Sequence, residues 1–280
     1  MAQPTETSGL LALKFILIGV AIAMFAALGW RATHPPRPPE PVVQKVAPPQ
    51  PVAPSFATLD KARAAVEDRM FEDGDFEPYW TLLKDNFSAD YDGLLDGFGK
   101  RAFDAKRLDS VDYYMSEAMR TMRRARGLLA AQADPEIVHR IFLLQASVAE
   151  AIAERDPHLC ADFIYGGAAE GFFAFSATHR PLIAEMALAS LAAIVDGQTS
   201  KLRRLTPSDE DFQALEEALA ERGLSREEID SVVDGKAPDP PLPDDRICAA
   251  GRAYLASLAA LPEAIRIRIE ALALELTSRT

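Results

Sequence analysis

Traced by where apolar side chains recur, the chain falls into three stretches. From Leu10 to Trp30 the residues are apolar all round, with one charge, Lys14. From 32 to 57 no periodicity holds, and nine prolines fall between Pro35 and Pro54. From Thr58 onward apolar positions return every three to four residues, the period of helices with a buried stripe. The boundaries predicted are 1–31, 32–57 and 58–280, with a sub-boundary near 198–206. The expected fold class is all-α: a single N-terminal transmembrane helix, a proline-rich linker and a multi-helix bundle.

Within the third stretch the start signals are local. Thr58 suits the cap of a helix to about Glu72, Glu77-Pro78 opens another, and Ser88 suits the cap of a third, weakened by Gly93, Gly97 and Gly99. The clearest stripe runs from Asp109 to about Ala131 through Val111, Met115, Ala118, Met122, Ala125 and Leu129. Asp134-Pro135 and Asp156-Pro157 read as cap followed by first helical residue. Between them Ile137, Ile141, Leu144, Val148 and Ile152 form a second stripe. Pro181–Val195 is apolar nearly all round and too short to span a bilayer, which predicts a buried central helix. Thr206-Pro207 predicts an acidic helix to about Gly223, and Ser225 with Glu228 forms a capping-box pattern. Gly235 to Asp245 reads as a loop, and final helices are predicted from about Asp245 and from Pro262. Ala264 to Glu270 alternates like a strand, but Pro262 and the Ala, Leu and Glu content favour helix.

The first stretch has the length of a bilayer-spanning helix, roughly 30 Å. Trp30 and Arg31 close it as an interfacial aromatic and a charge. A cleaved signal peptide is the competing reading. Cleavage after Ala21-Ile22-Ala23 would halve the apolar run, and no clean site follows Trp30, so an uncleaved anchor is preferred. Gly19, Ala23 and Ala27 recur every four residues, a spacing that permits close helix–helix approach and a homodimer in the membrane. Arg31, Arg37 and Lys45 after the run mildly favour a cytoplasmic domain. The short N-terminus and long spacer suit export instead, and export to the bacterial periplasm, with an inner-membrane anchor, is the reading taken.

Proline fixes φ and lacks a backbone donor, so the second stretch is expected to be extended and semi-rigid, reaching about 60 Å over twenty residues. A spacer needs only that stiffness. A ligand for an aromatic-lined groove is the alternative. The layout resembles envelope proteins that cross the periplasm on a proline-rich stalk, although no family motif carries the resemblance.

Charge narrows the partners. The net charge is −12, and the residues after Pro54 hold 26 basic side chains against 40 acidic, a net of −14. Phosphates are repelled by such a domain on average, so nucleic acid is not expected. Arg120, Arg123 and Arg124 nonetheless lie opposite an apolar stripe, with Arg126 at its edge, as a candidate face for an anion or acidic partner. A solvated face paired with nearby acids is the plainer reading.

Candidate chemistry is sparse. Cys160 and Cys248 are the two cysteines; they would pair in an oxidising compartment or stay as buried thiols in a reducing one. His158-x-Cys160 and Glu136-x-x-His139 each have metal-ligand spacing but lack the further ligands a site needs. Glu185 is the one carboxylate in the apolar 181–195 helix. Desolvation there would raise its pKa and suit it to acid–base work, unless it pairs locally, with His179 and Arg180 at hand, or lies on an exposed edge. Tyr165 to Phe175 mixes glycine and aromatics without the strand a phosphate loop requires. No cofactor is predicted. The function expected is a membrane-anchored domain for protein interaction or scaffolding, bound to lipid through 10–30. The alternative is a tethered hydrolase using a carboxylate such as Glu185.

Overall fold

Side chains that accept from free helix N–H groups set where six of the described helices begin. The computed structural model describes residues 56–166, 170–236 and 238–279, so the expected anchor, with Gly19, Ala23 and Ala27, and the linker up to residue 55 lie outside the described residues, while Phe56 at the linker's expected end packs against the core. Among the described residues there are twelve helices and no strand. Thr58 caps α1 (Leu59–Met70) by accepting from the Lys61 N–H. Ser110 does the same for α4 (Val111–Ala130). Asp134 and Asp156 cap α5 (Pro135–Ala153) and α6 (Pro157–Ile164), each with proline as the first helical residue. These caps replace solvent for donors that have no partner within the helix.

Two starts differ from the sequence reading. Ser88 is the first residue of α3 (Ser88–Ala105) and not its cap. The corner after α2 (Glu77–Asn86) is made by Phe87, whose ring is buried and whose N–H bonds to the Leu83 carbonyl. Burial of that ring outweighs the polar cap. Thr206-Pro207 likewise does not start α9 (Asp209–Glu221). Ser208 does, in a reciprocal capping box with Asp211. Ser225 and Glu228 form the second such box at α10 (Arg226–Val233). The chain ends in α11 (Asp244–Ala260) and α12 (Glu263–Thr277), so 264–270 is helical despite its alternation.

The centre of the fold is α8 (Arg180–Ser200), which packs against α2, α4, α5 and α7 (Glu170–Thr178). It runs five residues beyond the predicted Val195. It is the one described helix long and apolar enough to cross a bilayer, yet half of its most apolar window is buried inside the protein. Its closest approach is to α4. A Cβ on Gly197 would stand 1.8 Å from the Leu129 carbonyl oxygen, so only glycine lets the two backbones meet there.

α1 and α3 pack as a pair, α2 packs on α3 and α8, and α11 packs on α5 and α6. The core is continuous between these ends: Val66 and Trp80 belong to the same buried cluster as Leu219 and Leu258. The segment after α8 lies on the α4–α5 corner, where Leu202 N–H bonds to the Gln132 carbonyl and Arg204 donates to the carbonyls of Ala131 and Ala133.

Candidate functional site

Glu185 does not occupy the desolvated setting that acid–base work requires. Although α8 is apolar, Glu185 is on its one open edge, with 49% of the side chain exposed, and pairs with Arg140 of α5 at 2.5 Å. Neither His179 nor Arg180 is its partner. His179 stacks on Phe175 with ring centroids 4.1 Å apart. Arg180 instead holds buried Asp112 through two bonds of 3.2 and 2.9 Å and reaches Asp73 at 2.8 Å. Ser176 adds a hydroxyl donor to the same Asp112 carboxylate at 2.8 Å. The pairing with Asp112, ahead of the field of Asp73, raises the Arg180 pKa above its ordinary value.

The arginine face of α4 is partly neutralised in place. Arg120 pairs with Glu117, and Arg126 pairs with Asp90 at 3.0 Å while lying over the Phe87 ring. Arg124 is exposed. Arg123 turns inward: its Nε is buried without a hydrogen-bond partner, and desolvation, then the charges of Arg124 and Arg120, pull its pKa down.

Cys160 and Cys248 are joined by a disulfide that ties α6 to α11 across 88 positions of sequence. Both half-cystines are buried. A bonded sulfur is no thiolate ligand, which removes the His158-x-Cys160 pair as a metal site. His158 Nδ1 lies 2.7 Å from Asp244 and its Nε2 3.8 Å from Asp162. The bond to Asp244 is the main cause of a raised His158 pKa. Among the described residues no group of three His, Cys, Asp or Glu side chains is placed to hold a metal.

The structure joins Glu136 and His139 to Glu270 and Arg266, two residues that the sequence pattern does not single out. Glu270 of α12 is 0% exposed, and one carboxyl oxygen lies 2.7 Å from His139 Nδ1 on α5. Its other oxygen is buried without a hydrogen-bond partner, as is the Nε of Arg266 4.0 Å away. Arg266 also lies 3.8 Å from Glu136, so the Glu136/His139 pair is engaged by α12. Burial raises the Glu270 pKa, against the opposing pull of His139 and Arg266. Tyr254 of α11 is raised to about 12 by burial, then by the Glu270 charge. The sequence signals for this cluster were the Glu136-x-x-His139 spacing and the i, i+4 spacing of Arg266 and Glu270.

A shallow open groove lies between α2 and α8, lined in part by Pro78, Leu82 and Leu188 with Glu77 and Asp85. None of the predicted site residues lines it. No family model, curated protein or solved structure matches this chain.

Proposed function

We propose that the chain is a single-pass protein of the bacterial inner membrane, anchored through 10–30, with 32–57 as a stiff spacer and the acidic helical domain presented to a protein partner in the periplasm. The observation that supports this reading is the Cys160–Cys248 disulfide. Such bonds persist in oxidising compartments and are rare where thiol reductants are abundant. The setting of Glu185, open and paired with Arg140, removes the motive for the hydrolase alternative. A second copy pairing through Gly19, Ala23 and Ala27 is compatible with this layout.

The test is a reporter fused after Thr280 that is active only outside the cytoplasm, combined with thiol alkylation of the full chain in whole cells. Reporter activity together with two cysteines protected until reductant is added is the expected result. An inactive reporter, or two cysteines that alkylate without reductant, overturns the periplasmic assignment. Crosslinking in cells that yields no reproducible partner overturns the interaction role.

A further inference from the structure

We propose that Glu270 and His139 form a proton-sensitive clasp that sets how firmly the C-terminal helix α12 is held on α5. Ile265, Ala273 and Leu274 also pack on the core from this helix, and Arg268 bonds Asp211, but the centre of the docked face is polar. The fully buried positions of α12 are Ile269, Glu270 and Ala271, so a charged group occupies the centre of the face that a docked helix normally gives to large apolar residues. A carboxylate removed from water is costly unless its oxygens are hydrogen-bonded, and one oxygen of Glu270 is not, with Arg266 no nearer than 4.0 Å.

The surrounding charges are few and can be named. From α5, Glu136 and His139 face the carboxyl; from α12 itself, Arg266; from α11, Tyr254. Arg204, bonded to the α4–α5 corner, contributes at longer range with its neighbours Asp134 and Asp196. Toward α4, the charged group beside the end of α12 is Arg123, whose Cγ lies in the same tight contact at Gly127 as Ser278. Toward α9, Asp211 is committed to Arg268 through two bonds, which with the capping box lower its pKa to about 2. The Asp211 contribution is thus present above its ordinary value of 3.8 and fades only as pH falls toward 2. It is constant at neutral pH and cannot supply a slope there.

Glu270 supplies one. Its proton is bound more tightly with α12 docked than with the chain unfolded, where 4.5 is the ordinary value. Docking is accordingly firmest below that value and weakens as pH rises through the higher native one. With the proton gone, an ionised carboxylate with an unpartnered oxygen remains inside the protein. Each pH unit between the two values changes the docking equilibrium by about tenfold.

Hydrogen exchange of the full-length chain in detergent, corrected for the intrinsic pH dependence of exchange, reads this directly. Peptides covering 263–277 are expected to lose protection as pH rises from about 4.5 toward neutrality, by about tenfold for each pH unit between the unfolded and native values, with α1 and α3 unchanged. Glu270→Gln keeps the shape without the charge and should flatten that slope, whereas His158→Gln should leave it intact. An unaltered slope in Glu270→Gln overturns the clasp. So does a carboxyl carbon resonance of Glu270 that titrates near 4.5 in the wild-type chain, a measurement that stands if the variant does not fold.

Discussion

Gly197 is the residue on which the α4–α8 contact turns. A methyl group there would meet the Leu129 carbonyl oxygen at 1.8 Å and its carbon at 2.6 Å. Backbone cannot step aside as a side-chain tip can, so Gly197→Ala should destabilise by about 3 kcal/mol, the upper end for overpacking. Gly97→Ala should do the reverse. Gly97 is exposed in the middle of α3 with nothing within 4 Å of an added Cβ, and alanine gains about 1 kcal/mol of helix propensity. Denaturant midpoints of the two variants check the opposite signs. The sequence reads Gly93, Gly97 and Gly99 as equal weaknesses in one helix. Gly99 alone is packed: a Cβ there would stand 3.0 Å from the Arg63 Cα, and that depends on where α1 lies, which no spacing within α3 reveals. Arg180 makes the same point for charge. It was legible as a neighbour of Glu185, but it serves Asp112, 68 positions away and 3% exposed. Arg180→Ala would leave that carboxylate buried with only Ser176, which should lower stability by about 3 kcal/mol in the same melts.

Helices began where short-range chemistry said they would, and failed to where burial of one side chain decided the matter. Asp134, Asp156 and Ser225 act through donors two or three residues away, so the sequence suffices to place them. Phe87 replaces Ser88 at a corner because its ring enters the core, a fact of three dimensions. The pairing of Glu270 with His139 could not be read from the sequence, since the two are 131 positions apart and the stretch around Glu270 alternates in a way that hides which face is buried. Pairing of α6 with α11 is the element-scale feature most open to test. Replacing Cys160 and Cys248 together by alanine reopens a loop of 88 residues. The entropy of closing such a loop corresponds to about 4.6 kcal/mol, and the unfolding free energy from denaturant melts should fall by up to that amount. His158 adds a pH-dependent part to the same contact. Its raised pKa means that the bond to Asp244 stabilises fully below the ordinary 6.5 and is lost as pH climbs through the native value. Wild-type melting should therefore decline on that upward path more than His158→Gln does. The difference is expected to be small, because the imidazole is 58% exposed.

At the scale of the whole molecule, the continuous core implies that the helical region carries its own stability. Phe56, the first described residue, packs against that core, and α1 begins three positions later. A fragment from Phe56 to Thr280 keeps every residue of the buried cluster, both cysteines and the strongly negative charge that favours solubility. It should be soluble without detergent, wholly helical by circular dichroism, and should melt within about 3 °C of the full chain. At this length that shift corresponds to about 1 kcal/mol. The full chain should instead need detergent, because 10–30 would remain apolar on every side. The two halves of the outcome discriminate. A fragment that melts much lower would mean that residues before Phe56 cover part of the helical surface, and 32–57 would then be a packed segment and no spacer. A full chain that stays in solution without detergent would remove the anchor, while leaving the clasp at Glu270 untouched.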